Sequence, residues 1–299
     1  MIKSAFTIVL SLGLALTSFC QQLTLVKDSI MSNYMQSGFS NTHFIPKGKK
    51  DSNGLKQGKW EDYEVAYDYV YVTLNRKPTQ VYGHYLLFGE GEYINGKREG
   101  RWTLYVIEDK TFKKLRQQEV SYTKGVKDGL FTYVFPNGKT GVTGKYVANK
   151  TEGEVKSYYE DGKLYGTRYY EGGLRTGRHT YLHPNGQLKL EHHFTNDTLN
   201  GDYRTYYPDG KVQERFTYLM GKEDGIYSYY YGNGQLWIEK EYNNGLLMNV
   251  TGSYDTMDNP RDKGTIKDGN GTVNYFTEEG KLYAVQTFRD GKKIGEENK

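Results

Sequence analysis

Four of the six histidines fall in one short stretch, at His179, His183, His192 and His193. Imidazole nitrogens are common ligands for zinc and copper, so this grouping raises a metal site. Whether the rings meet depends on the turn at Pro184-Asn185-Gly186 that separates them. A two-residue type I′ turn puts His179 opposite His192, whereas a three-residue loop puts Glu191 there, because one residue of register changes every cross-strand partner. The equivalent positions elsewhere argue against ligation: His179 aligns with Phe131, Val155, Tyr203 and Tyr227, and His183 with Phe135, Tyr159, Tyr207 and Tyr231. Two of the histidines therefore occupy aromatic slots. The expectation is polar substitutes for structural rings, with no metal and no cofactor.

Tyrosine is the other residue type in excess, with 30 in the chain beside 12 Phe and 3 Trp. In Tyr158-Tyr159, Tyr206-Tyr207 and Tyr229-Tyr230-Tyr231, neighbours along a strand point to opposite faces, so rings are expected on both sides of a sheet. One set would pack between neighbouring hairpins. The other would cover an open face, and Tyr158, Tyr206, Tyr229 and Tyr230 are the candidates there to bind a protein, a glycan or a lipid surface. At any single tyrosine, packing is the plainer expectation; for the array as a whole, a binding face is favoured.

Other chemistry is weakly signalled. The basic run Lys110, Lys113, Lys114 and Arg116 reads as a solvated hairpin end rather than a phosphate site. The Asp- and Asn-rich segment from Gly252 to Gly264 lacks the alternating ligands and closing glutamate of a calcium loop, and reads as an irregular turn. No nucleophile elbow, phosphate-binding loop or zinc-protease motif appears, so no catalytic residues are expected. The formal charge of +4 gives no electrostatic case for nucleic acid.

Met1 to Cys20 reads as a targeting segment. Lys3 supplies a positive start, Ala5 to Leu16 an apolar run, and Ser18-Phe19-Cys20 a cleavage site before Gln21. The run is short of the roughly 20 residues that cross a bilayer. Export to the periplasm, the cell surface or the medium is expected, with a lipoprotein anchored at Cys20 as the alternative; bulky Phe19 argues for simple cleavage. Cys20 is the single cysteine, so no intramolecular disulfide can form.

A repeat must position all of these groups. Gly129, Gly153, Gly177, Gly201 and Gly225 stand 24 residues apart, and after a unit opening at Asn249 the spacing resumes with Gly271 and Gly295. An Asn-Gly, Asp-Gly or Glu-Gly turn follows each opening glycine, and aromatics recur at Tyr146, Tyr170, Phe194, Tyr218, Tyr242 and Phe288. A fixed period of this length marks units that bury their apolar face only by stacking on one another. The fold expected is all-β, an elongated, twisted antiparallel meander of repeated hairpins. The parts are a signal (1–20), an irregular N-terminal cap (21–53), two hairpins with insertions (54–128), five regular repeats (129–249), an irregular repeat (250–270) and a final repeat with a polar tail (271–299). One insertion, 65–74 with 81–88 around Asn75-Arg76-Lys77-Pro78, reads as an extended hairpin.

Tyr93-Ile-Asn-Gly96-Lys-Arg-Glu-Gly100-Arg-Trp102 resembles the shorter eukaryotic type of MORN repeat, and 129–249 with 271–295 resembles the longer bacterial variant found in YwqK-family antitoxin proteins. The resemblance covers about residues 54 to 295. It implies a MORN-like array serving as a noncatalytic protein-interaction scaffold, in an antitoxin or immunity-like role where the array occludes a toxin. It also implies that an open sheet edge can pair two copies. The alternative is an envelope module that holds glycan or lipid on an aromatic sheet face.

Overall fold

The computed structural model describes residues 47–74, 77–107 and 114–299. The signal with Cys20, residues 21–46 of the cap, and Lys110 and Lys113 of the basic run lie outside the described residues. Those described form strands and turns, in two compact units that meet between Glu119 and Val120. The division falls inside a strand.

The first unit holds β1 (Lys47–Lys50), β2 (Lys56–Leu74), β3 (Lys77–Ile94), β4 (Lys97–Ile107) and the start of β5 (Lys114–Thr123). β2 and β3 pair without a break from Gly58↔Tyr93 to Leu74↔Lys77, so the inserted hairpin continues the ladder on which it is built. Lys47–Lys50 forms a strand where an irregular lead was expected. It pairs with β2 at Lys47↔Glu61, Lys49↔Gln57 and Lys50↔Lys56, and the Trp60 ring lies so closely on Gly48 that a Cβ there would come within 2.2 Å of it.

The second unit begins in β5 and continues through β6 (Val126–Val134), β7 (Thr140–Val147), β8 (Lys150–Tyr158), β9 (Leu164–Glu171), β10 (Leu174–Leu182), β11 (Leu188–Thr195) and β12 (Thr198–Tyr206). It goes on with β13 (Val212–Leu219), β14 (Lys222–Tyr230), β15 (Leu236–Asn243), β16 (Leu246–Ser253), β17 (Gly271–Phe276), β18 (Leu282–Arg289) and β19 (Lys292–Asn298). β1 to β16 follow chain order in one antiparallel sheet, and β17 to β19 form a second. The meander therefore ends at β16, and the final repeat is a sheet of its own. Between them Asp255 closes a loop by accepting the Met257 and Asn259 backbone N–H groups at 2.8 and 2.9 Å, which uses the acidic segment for a turn.

Each regular hairpin has two different ends. At Pro184-Asn185-Gly186 the loop has three residues: His183 N–H donates to Gln187 O at 2.7 Å, and Gly186 N–H to His183 O at 2.8 Å. Proline fits the first turn position, and Gly186 takes the left-handed conformation that closes such a loop. That loop was expected to set His179 against Glu191. Instead Tyr181 pairs with Leu190 while Leu182 pairs with Leu188, so Lys189 bulges out and returns His179 to His192. The same shift follows the loop in β6–β7, β8–β9, β12–β13, β14–β15 and β17–β18. The opposite ends are type I′ turns, as at Asn196-Asp197 with φ of 47° and 65°. They are stitched together: Asp197 N–H donates to Arg175 O at 3.0 Å, Gly221 N–H to Leu199 O at 2.8 Å and Gly245 N–H to Glu223 O at 2.8 Å.

Beside each I′ turn the opening glycine sits in a wide bulge, as Gly177 does between Thr176↔Tyr169 and Thr180↔Thr167. The bulge carries the residue two further on, here His179, across the preceding strand. One face of the second unit thereby becomes a row of rings and the other a row of polar groups.

Candidate functional site

The ring face runs through His179, His192, Tyr203, Phe216 and Tyr227, with successive centroids 5.8, 5.9, 4.6 and 5.4 Å apart. His179 is fully buried and its Nε2 lies 3.0 Å from Tyr169 O. Burial lowers the His179 pKa and takes that of His192 down to about 4, so both rings are neutral at neutral pH. His193 falls on the opposite face, and its Nδ1 is 3.3 Å from Asp202 O. The four histidines do not converge. Among the described residues, no group of three or more His, Cys, Asp or Glu is arranged to hold a metal ion.

His183 has another task. Its Nε2 lies 2.8 Å from Tyr206 O, while the hydroxyls of Tyr159, Tyr207 and Tyr231 donate to Leu182 O, Tyr230 O and Tyr254 O at 2.6, 2.7 and 2.9 Å. A polar tip at this position ties each hairpin to the next. Burial takes the Tyr207 hydroxyl up to about 12. The alignment contained the signal, in the sharing of one slot by tyrosine and histidine, but only the structure identifies the acceptor.

The polar face carries a continuous cross-strand ladder: Thr180↔Glu191, Glu191↔Arg204, Arg204↔Arg215, Arg215↔Ser228 and Ser228↔Glu239. At its centre Glu191 is only 6% exposed. Arg178 donates to its Oε2 from Nε at 2.8 Å and from Nη2 at 2.5 Å, while Arg204 Nη1 and the Tyr206 hydroxyl reach Oε1 at 3.3 and 2.5 Å. Burial alone would raise this carboxyl. The bonds from Tyr206 and Arg178, with the Arg178 charge, overcome it and leave the pKa lowered. Sequence reasoning missed Glu191 as a centre because its partners come from two other strands.

Tyr158, Tyr206 and Tyr230 share this face and are half-buried, Tyr230 lying beneath the Arg215 guanidinium at 5.6 Å. Tyr229 does not join them. It accepts from Gln213 Nε2 at 3.1 Å, meets Trp237 edge-on at 5.5 Å and packs on the core of Ile238, Leu247, Val250, Ile266 and Val273. Three of the four candidate tyrosines thus lie together on one surface, and the fourth belongs to the ring face.

Lys240 occupies the ring-face position that holds His192 and Phe216 in other units. Its Nζ sits over the rings of Tyr227 and Tyr275 at 5.2 and 4.9 Å and donates to the Tyr275 hydroxyl at 3.1 Å, joining β15 to β17. Burial takes its pKa down to about 8 against the pull of Glu223 and Glu214. In the first unit, Trp60, Tyr93 and Trp102 pack edge to face at 5.9 and 5.0 Å. The Tyr93 hydroxyl donates to Asp62 Oδ2 at 2.6 Å. A shallow groove of about 600 Å³ there is lined by both signs of charge, including Lys59, Glu61, Glu92 and Arg101.

Residues 151–171, 175–196, 199–219 and 223–244 match the MORN repeat variant family. Each matched segment is one hairpin: β8–β9, β10–β11, β12–β13 and β14–β15. No curated protein matches the chain.

Proposed function

We propose that the protein is a noncatalytic, exported scaffold that binds a partner protein through the polar face of its second unit. The observation that carries this reading is the arrangement around Glu191. One buried carboxylate fixes Arg178, Arg204 and Tyr206, each of which keeps part of its surface open, on the face that also bears Tyr158, Tyr230 and Arg215. Arginine and tyrosine are the types that carry most energy at protein interfaces, and side chains already held by neighbours lose little entropy on binding. The Met1–Cys20 segment supports export. In the finer form of this reading the partner is a toxin that the face covers, giving an antitoxin or immunity-like role.

The test is affinity capture from the cell envelope with the chain from Gln21, beside a variant carrying Tyr158→Ser, Tyr230→Ser and Arg215→Glu. These side chains lie outside the Glu191 bonds, and circular dichroism would verify the fold. Loss of a single stoichiometric protein in the variant is expected. Capture unchanged by the substitutions would overturn the polar face as the binding site, and recovery of glycan or lipid alone would overturn the reading in favour of an envelope module.

A further inference from the structure

We infer that the partner protein docks an amphipathic α-helix with an acidic margin, laid across the strands of the polar face; this rests on the reading of that face as the binding surface. The face is not polar throughout. On its loop side, one residue from each strand of β8 to β13 forms a half-buried row: Tyr158, Leu164, Leu182, Leu188, Tyr206 and Val212. Tyr158↔Leu164, Leu182↔Leu188 and Tyr206↔Val212 are cross-strand pairs, and such partners share a face. Tyr158, Leu182 and Tyr206 each stand two residues beyond Lys156, Thr180 and Arg204 of the polar ladder, which places the row on that side of the sheet.

The position of the row decides the form of its occupant. β8 to β13 lie within the sheet, each paired on both edges, so an incoming segment cannot add to them as a further strand and must satisfy its own backbone. An α-helix does so. Strands spaced at about 4.8 Å put the two ends of the row about 24 Å apart. A helix of about 16 residues covers that length, and its apolar stripe recurs every turn of about 5.4 Å, close to the spacing of the strands beneath.

Charge decides its margin. The next row inward reads Lys156, Thr167, Thr180, Glu191, Arg204 and Arg215. Its one carboxylate, Glu191, is buried and held by Arg178, Arg204 and Tyr206. Glu154 and Asp202, which pair with Lys156 and Arg204, lie one row further out. The open charges beside the apolar row are therefore cations. Arg204 and Arg215 are direct cross-strand partners, an arrangement of like charges that costs stability, and Arg215 has no ion pair among the described residues. A carboxylate arriving at Arg215 relieves that cost, so the helix carries Asp or Glu along the side that faces this row.

Neighbouring repeats supply variants that suit the fold. Leu188→Thr and Val212→Thr install the residue of the equivalent position Thr140, and Lys156→Thr and Arg215→Thr those of Thr180 and Thr167. Leu219→Thr, after Thr195, changes an exposed apolar residue at the I′-turn end of the same strands. The probe is a fluorescein-labelled helical peptide of about 16 residues with Leu on one side and Glu on its margins, beside a second peptide with Lys for every Glu. The chain from Gln21 would be titrated into each and followed by anisotropy, with circular dichroism to verify the fold of the variants. The Glu peptide is expected to bind wild type and L219T alike and to gain helicity. The Lys peptide should bind wild type at least about tenfold more weakly, as should the Glu peptide with L188T/V212T and with K156T/R215T. The inference is overturned if the Glu peptide does not bind folded wild type, if the Lys peptide binds as well, or if L219T loses binding while the row variants keep it. Failure of the peptide while envelope capture still depends on Tyr158, Tyr230 and Arg215 removes the helix and leaves the face; failure of both removes the face as well.

Discussion

His183 Nε2 stands 2.8 Å from the carbonyl oxygen of Tyr206, in the place where a phenol makes the same bond in three other hairpins. A carbonyl can only accept, so Nε2 carries the proton and the imidazole acts as a shorter tyrosine. Three of these bonds cross from the loop of one hairpin to the last residue of the first strand of the next, and that of Tyr231 reaches Tyr254 just past β16, each adding a polar tie between neighbouring hairpins.

Removing one such tie has a definite expected cost. Tyr207→Phe should lose about 1 kcal/mol in urea unfolding, since the Tyr230 carbonyl loses its donor while the ring stays. His183→Tyr should change stability by less than about 0.5 kcal/mol, whereas His183→Phe should cost as much as Tyr207→Phe. Equal stability of H183F and H183Y would show that the bond contributes nothing.

Glu191→Gln removes the charge that Arg178 and Arg204 share. A cost of about 1–3 kcal/mol is expected, with Arg178→Ala milder because Arg204 and Tyr206 remain. The Glu191 pKa is lowered by folding from the ordinary 4.5. Its contribution is therefore complete above that value and disappears as pH falls through the lower, folded one. Stability measured from neutral to acid pH should fall less steeply in E191Q than in wild type, with the difference confined below the ordinary carboxylate range.

Glycine substitutions separate two roles. At Gly177 a Cβ meets no atom within 4 Å but φ is +67°, so Gly177→Ala should cost about 1 kcal/mol of backbone strain. At Gly91 a Cβ would lie 2.3 Å from the Trp102 ring, so Gly91→Ala should cost more and should displace the indole. Thermal melts rank the two, and Trp fluorescence reports the displacement at Gly91 alone.

Lys240 gives a pH signature of the same sign as Glu191 but in the alkaline range, and here the charged form is the one that folding disfavours. Its folded pKa of about 8 is below the ordinary 10.5, so between those values the unfolded chain binds more protons and stability from this group rises with pH. The groups around it are Glu214, Glu223, Tyr227, Tyr242 and Tyr275. Burial raises the three phenols, whose losses set in only above the usual tyrosine range, near pH 10. Unfolding measured from pH 7.5 to 9.5 should therefore show a rise in wild type that Lys240→Met abolishes, with the variant more stable by about 1–3 kcal/mol at pH 7.5. A rise that persists in K240M would place its origin elsewhere.

How much of this was legible can be followed residue by residue. The opening glycines, the Pro-Asx-Gly loops and the aromatic slots of His179 and His183 stand at fixed spacing, and a hairpin period written in residue types survives without any structure. The insertion in β2–β3 and the acidic turn were legible as departures from it. The bulge after each loop was not. Its position is held by Gly141, Tyr165, Lys189, Gln213, Trp237 and Tyr283, which share no property that a pattern could detect, and the extra residue leaves the period unchanged.

The sequence by itself determined that this chain is a stack of hairpins, where each one turns and which slots take rings, because those choices rest on local conformation and on burial repeated at every unit. The tertiary structure decided what meets what. Side chains alternate across a strand, which puts Tyr229 and Tyr230 on different surfaces, and one bulged residue exchanges Glu191 for His192 opposite His179. The ion-paired centre on one face and the facing imidazoles on the other both follow from that single residue of register.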